Sequence, residues 1–98
     1  MKDILNEAIP LYLGVGSSSF PKEDASRLKT RFGEELGTQL EHDIKQLLLE
    51  LDQIKPNWKI HDLNQATNHA VAKMKHNHPE LSSEALSAIG WVYSYSWK

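Results

Sequence analysis

Apolar residues recur along most of the chain at steps of three or four positions, the spacing of one face of an α-helix. The clearest run extends from Ala25 to Ile54, and its average step of about 3.6 residues matches the helical period. Pro21 suits the first turn of a helix, and Pro56 closes the run. This pattern predicts one long helix from Pro21 to Ile54.

Two glycines lie inside this run, Gly33 and Gly37, and they suggest an alternative in which the run forms two helices. Each glycine costs a helix interior about 1 kcal/mol, and Gly33 could equally end one helix and let another begin. The unbroken phase of the apolar positions favours a continuous helix, with a kink at most. Glycines four positions apart also allow another helix to approach closely.

Shorter apolar patterns predict one helix before this run and another after it. The first helix follows Asp3, which is suited to cap it, and Pro10 should end or kink it because proline lacks an N–H group. The later helix starts at Asp62, which forms a capping-box pattern with the glutamine three residues on, and should stop before Pro79.

The connection that precedes Asp62 contains two large apolar residues, Trp58 and Ile60. Large apolar side chains are most often buried in a small domain. We therefore expect both of them to fill the core rather than to lie on the surface.

The last apolar stretch admits two interpretations. Its aromatic residues alternate with other residues, as in a half-buried strand, and are Trp91, Tyr93, Tyr95 and Trp97. Ser82 as a cap, with Leu81 and Leu86 as a hydrophobic staple, instead predicts a helix that continues into the aromatic residues. We favour the helix, because a strand would need a partner and no other stretch of the sequence suits that role.

These segments predict an all-α protein with a single helical domain over residues 1–98. The expected architecture is a compact bundle of four helices, or five if Gly33 is a break, with one long central helix wrapped by the others. The 98 residues, 40% hydrophobic and 24% charged, are typical of one globular domain with a modest core.

Charge and composition narrow the classes of partner and compartment. The net charge of −2 gives no basic excess, which argues against nucleic-acid binding through phosphate contacts. The sequence has no cysteine, no apolar stretch near the ~20 residues that cross a membrane, and no signal-peptide pattern at its start. We therefore predict a cytoplasmic protein that binds neither nucleic acid nor membrane.

No pattern of residues predicts catalysis or a cofactor. Cysteine is absent, and the adjacent Glu34 and Glu35 would point about 100° apart on a helix, so they do not form an acid/base pair. Of the histidines, His69, His76 and His78 suggest a metal site, but none has a histidine three or four positions away, as helical zinc ligands do. A non-enzyme is the prediction, and a histidine-based metal-binding protein is an alternative.

Acidic residues dominate from Glu34 to Asp52, where Lys45 is the single Lys or Arg. One interpretation is a solvated helix face that forms ion pairs within the fold, for example with the lysines at 59, 73 and 75. The other is a docking face for a basic partner, since acids speed the encounter and add specificity. The candidate residues for this face are Glu34, Glu35, Glu41 and Asp43.

The C-terminal aromatic residues would lie on two sides of one helix, Trp91 with Tyr95 and Tyr93 with Trp97. A 98-residue monomer cannot easily bury both sides, so one side is expected to pack elsewhere in the fold or on another protein. Trp91 and Tyr95 are therefore the candidate aromatic anchors for a partner. In a homodimer, Trp91 and Trp97 would lie at the seam between the two copies.

Small size, acidity and helical content together favour a non-enzymatic protein-binding module. Its most concrete form is a bacterial immunity-type inhibitor, which would block the basic cleft of a toxin domain with its acidic helix face and aromatic anchors. A structural or homo-oligomeric helical protein is the alternative from another class.

Overall fold

The computed structural model describes residues 2–17 and 19–97, and within these ranges the chain forms five α-helices and no β-strand. Met1, Ser18 and Lys98, which belong to the predicted domain 1–98, lie outside the described residues. The predicted all-α bundle is confirmed. The helices are α1 (Lys2–Leu13), α2 (Ala25–Phe32), α3 (Glu34–Asp52), α4 (Leu63–Asn77) and α5 (Ser83–Ser96).

Gly33 separates α2 from α3, so the continuous helix from Pro21 to Ile54 is wrong and the five-helix alternative is correct. The φ angle of Gly33 is +91°, in the region that glycine adopts without steric cost. Its N–H still donates to the carbonyl of Lys29 at 2.9 Å and so closes the end of α2. The apolar residues keep the helical spacing across the break because α2 and α3 both bury their apolar faces in the same core.

α2 packs back against α3, and Gly37 lies where they touch. A Cβ atom on Gly37 would lie 3.0 Å from backbone atoms of both Leu28 and Lys29. Of the two glycines expected to permit a close helix approach, only Gly37 does so, since a Cβ on Gly33 would meet no atom within 4 Å. The approaching helix is the preceding one, α2, which the break at Gly33 allows to turn back.

α1 does not end at Pro10 but continues to Leu13. Asp3, expected as its cap, lies inside its first turn. The helix ends at Gly14, whose φ is +85°, and the N–H groups of Gly14 and Val15 both donate to the Pro10 carbonyl, at 3.1 and 3.0 Å. This arrangement closes a helix with a glycine in the left-handed region. Pro10 therefore takes part in the end of the helix through its carbonyl.

Both predicted caps of the last two helices are confirmed. Asp62 accepts from the Gln65 N–H at 2.8 Å, while the Asp62 N–H donates to the Gln65 side chain at 2.9 Å. Ser82 Oγ accepts from the Ala85 N–H at 3.1 Å, and the staple residues Leu81 and Leu86 are both buried. The aromatic stretch that follows belongs to α5, as the helical interpretation predicts.

Trp58 and Ile60 do not fill the core, which corrects our prediction for them. Their side chains are 52% and 66% exposed. The connection turns at Asn57, whose carbonyl accepts from the Ile60 N–H at 3.1 Å. Earlier in the same connection, the buried Tyr93 hydroxyl donates to the Ile54 carbonyl at 2.7 Å.

α5 packs mainly against α4 and α1, and more lightly against α3. Asn6 ties its start to α1, since the Asn6 side chain donates to the Glu80 carbonyl at 3.0 Å and accepts from the Ser82 N–H at 2.9 Å. Farther along, Leu13 of α1 shares a cleft with Val92 of α5. The two helices therefore run side by side in the same direction.

Among the residues that the structure describes, no helix combines the length and the apolar character needed to cross a membrane.

Candidate functional site

An open groove of about 1080 Å³ lies between α1 and α5. We call it the α1/α5 groove. Its apolar part consists of Pro10, Val15, Ala88 and Trp91. This volume is at the upper end of what small-molecule pockets have, but those pockets are enclosed, whereas this groove is open to solvent. Its shape suits a segment of another protein better than a small molecule.

The other end of the α1/α5 groove is acidic. Asp3 and Glu7 contribute from successive turns of α1, and Glu84 contributes from the first turn of α5. Arg31 of α2 pairs with Glu7, with Nη2 and Oε2 2.7 Å apart. The acidic end of the groove lies at the start of α5, at Glu84. The apolar end lies about two helical turns later, at Trp91.

A second groove lies on the opposite side of α5, against α4, and we call it the α4/α5 groove. Its α4 wall carries the uncharged polar side chains of Asn64, Thr67 and Asn68. Gly90 forms part of its α5 wall, and a Cβ there would lie 3.0 Å from a methyl group of Val71. The two helices are therefore packed closely beneath this groove.

Ser83, Ser87 and Trp91 line both grooves and form the ridge between them, which we call the α5 ridge. They are four positions apart, so they follow one row along the helix surface. Both serines are exposed and Trp91 is half-buried. This row belongs to the face of α5 that the other helices leave uncovered.

The structure places the two aromatic sides of α5 differently. Tyr93 is 2% exposed, and the Trp97 ring packs near it, with centroids 6.3 Å apart, and beneath the Lys55 ammonium at 5.4 Å. Tyr95 is 46% exposed and its ring lies 6.3 Å from that of Phe20. Tyr93 therefore belongs to the core and Tyr95 to the surface, while Trp91 and Trp97 are both half-buried against the core.

The four predicted acids of α3 do not form one continuous face. Glu41 and Asp43 are two positions apart, hence about 200° apart around the helix, on opposite flanks of its buried stripe. Glu35 lies on the outer face, and the Glu34 side chain is 85% exposed at the start of the helix. None of these four residues is among those that line the α1/α5 and α4/α5 grooves in the described chain.

Two of these acids form ion pairs within the fold, with partners other than the expected lysines at 59, 73 and 75. Glu34 lies 3.7 Å from the Lys29 ammonium, and Glu41 lies 3.2 Å from that of Lys45. Burial, the hydrogen bond to Glu23 and the charges of Glu23 and Glu41 raise the pKa of Tyr12, so this buried phenol stays neutral.

The three candidate metal-binding histidines have different neighbours. The His69 ring packs 5.6 Å from that of His61, and His78 Nε2 lies 2.8 Å from Glu50 Oε1. Over residues 2–17 and 19–97, no three His, Asp or Glu side chains are grouped so that they could hold a metal ion. The geometry thus gives His69, His76 and His78 no common site.

His78 and Asn77 instead connect the end of α4 to α3 through Glu50. An ionised carboxylate only accepts hydrogen bonds, so His78 Nε2–H donates to Glu50, as does the Asn77 amide at 3.1 Å. The His78 hydrogen bond, aided by that of Asn77 and by the His78 charge, holds the pKa of Glu50 below its ordinary value of 4.5, against the opposing effect of burial. The protonation state of Glu50 therefore affects the stability of the fold.

Replacing Glu50 with glutamine should lower stability at neutral pH more than at acid pH. Because folding lowers the pKa of Glu50, its stabilisation is present above the ordinary value of 4.5 and is lost as pH falls through the folded value. Urea unfolding of the wild type and E50Q at pH 7, and at a pH well below 4.5, measures this change. The control E35Q removes an exposed carboxylate of the same helix and should cost less at pH 7; an E50Q deficit that persists in acid would contradict the assignment.

Sequence reasoning identified Trp91 but missed the rest of the groove, including Asp3, Glu7 and Glu84. The sequence predicts only a capping role for Asp3. The acids of the α1/α5 groove are close to each other in space but come from both ends of the chain. One signal was available: Ser83, Ser87 and Trp91 form a row with polar positions on a helix that is otherwise largely apolar. Such a row marks a face that no other helix covers.

Comparison of the chain with protein-family models, with curated proteins and with solved structures gives no match. The functional proposal therefore depends on the chemistry of the described residues.

Proposed function

We propose that this chain is a non-enzymatic protein-binding module that docks a basic partner against the α5 ridge and the α1/α5 groove. The observation that carries the proposal is an uncovered row on α5, next to an apolar groove with an acidic end. A half-buried tryptophan at such a place is a typical anchor residue for a protein partner.

The most concrete form of this function is a cytoplasmic, immunity-type inhibitor that occupies a basic cleft of a toxin domain. The acids of the groove supply complementary charge at the contact. The exposed acids of α3, Glu34 and Glu35 above all, act at longer range by speeding the encounter with a basic surface. In this proposal, Tyr95 extends the aromatic side of α5 beyond Trp91.

Affinity capture with matched variants tests the proposal. Ser87 is exposed and lies on the α5 ridge, so S87R places a large, positively charged side chain on this ridge at little cost in stability. A72R adds the same charge at an exposed position of α4 outside the two grooves and is the control. Wild type and A72R should retain one protein from a lysate of the source organism that S87R does not retain.

The retained protein should then form a 1:1 complex with the purified chain and lose its own activity in that complex. Added salt should slow the association, because exposed acids steer a basic partner less when screened. If no protein distinguishes the wild type from S87R, the binding function is wrong. If the complex forms without inhibition, the binding function stands and the inhibitor form is wrong.

A further inference from the structure

The two grooves and the α5 ridge together have the form of a helix-docking surface. Helices pack when a ridge of side chains on one enters a groove on the other, and a row of residues four apart is one of the standard ridges. Ser83 and Ser87 are small, so a second helix can approach the α5 backbone closely along this row. At Trp91 the large side chain prevents such a close approach.

The charges beside the α5 ridge differ between its two sides. The α1 side carries the carboxylates of Asp3 and Glu84, with Glu7 paired to Arg31, whereas the α4 side carries the neutral groups of Asn64 and Asn68. A helix that lies along the ridge would therefore meet negative charge on one flank and uncharged polar groups on the other. Charge complementarity assigns Lys or Arg to the first flank of that helix.

The α1/α5 groove is also ordered along its length. Glu84 lies at its acidic end and Trp91 at its apolar end, seven positions later, which corresponds to about 10 Å along a helix. A docking helix matches this order when a basic residue and a large apolar residue lie two turns apart on the same flank. The apolar residue would contact Val15, Ala88 and Trp91.

We infer that the partner segment is an amphipathic α-helix that carries Lys or Arg two turns from a large apolar residue. This inference rests on the proposed function, because it specifies the segment by which the partner binds. A second copy of the chain suits the groove less well. A two-fold symmetric contact centred on the groove would place Asp3, Glu7 and Glu84 against the same acids of the other copy.

A displayed library of single-helix peptides, randomised at their surface positions and selected on the purified wild-type chain, tests this inference without the native partner. The enriched peptides should carry Lys or Arg seven positions from a large apolar residue. The best synthetic peptide should bind A72R as tightly as the wild type, and S87R at least about thirtyfold more weakly. Circular dichroism of S87R and A72R checks that both are folded.

A pair of double variants tests the charges. D3N/E84Q removes two carboxylates from the α1/α5 groove and should weaken the peptide by about tenfold, more at low salt than at high salt. E35Q/D52N removes two exposed carboxylates of α3 and changes the net charge equally, so it should slow association about twofold and leave the dissociation rate of the peptide nearly unchanged. If the two double variants weaken the peptide equally, the effect of charge is general rather than local, and the inference is wrong.

Other outcomes are equally decisive. Selection of no helix, of helices without basic residues, or of peptides that bind S87R as well as the wild type would overturn the inference. A dimer in sedimentation that S87R abolishes would make a second copy the occupant and overturn it too. If a native partner is captured but the library yields no basic helix, only the inference fails; if basic helices are selected but no partner is captured, only the proposed function fails.

Discussion

Replacing Tyr93 with alanine should lower the free energy of unfolding by about 4 kcal/mol, as is typical for truncation of a large buried aromatic side chain. Tyr93 is 2% exposed and lies where α5 passes beneath the connection between α3 and α4. The truncation opens a cavity and also leaves the Ile54 carbonyl, now bound at 2.7 Å, without its donor. Urea unfolding followed by circular dichroism measures the loss.

Two variants separate the contributions to this effect. Y93F keeps the ring and removes only the hydroxyl, so it should cost about 1.5 kcal/mol, the cost of one unpaired buried acceptor. Y95A truncates the same residue type two positions later, where the side chain is 46% exposed and packs near Phe20, and should cost about 1 kcal/mol. Equal losses in Y93A and Y95A would contradict the burial assigned to Tyr93.

Replacing Gly37 with leucine should destabilise the fold by about 3 kcal/mol, although leucine is a far better helix former than glycine. A Cβ alone would already lie 3.0 Å from the backbone of Leu28 and Lys29, and backbone cannot move aside as a flexible side chain can. The leucine side chain therefore forces α2 away from α3. Thermal and urea unfolding both report this change.

The size series at this position distinguishes crowding from helix propensity. G37A gains helix propensity worth about 1 kcal/mol but still crowds α2, so we expect a net loss near 1 kcal/mol. Q39L introduces the same leucine at an exposed position of α3 and should change stability by less than about 0.5 kcal/mol. A stabilised G37L would mean that α2 and α3 are not in close contact there.

The helices were largely predictable because their signals are local. Asp62 and Ser82 lie within three residues of the groups they cap, so the sequence pattern contains both donor and acceptor. The break at Gly33 was not resolved, because the apolar period is the same for one long helix and for two helices that share a core. The exposure of Trp58 was not predictable either, because the residue type indicates burial and its local sequence carries no opposing signal.

The candidate site was less predictable for the same reason. Trp91 was identified as an anchor from its own helix, but its acidic neighbours Asp3 and Glu7 come from the other end of the chain. The charge run in α3 was visible in the sequence, yet helical geometry directs Glu41 and Asp43 to opposite flanks. A run of like charges along a helix is therefore weak evidence for one charged surface.

The hydrogen bonds of Asn6 imply an order of folding. α2 and α3 are adjacent in the chain and can pair early, at a small loss of chain entropy. By contrast, Asn6 is 76 residues from Ser82, so α1 and α5 must close a loop that spans most of the protein. We therefore expect the contact between α1 and α5 to form later than the contact between α2 and α3. A partner that binds in the α1/α5 groove would hold this later contact together.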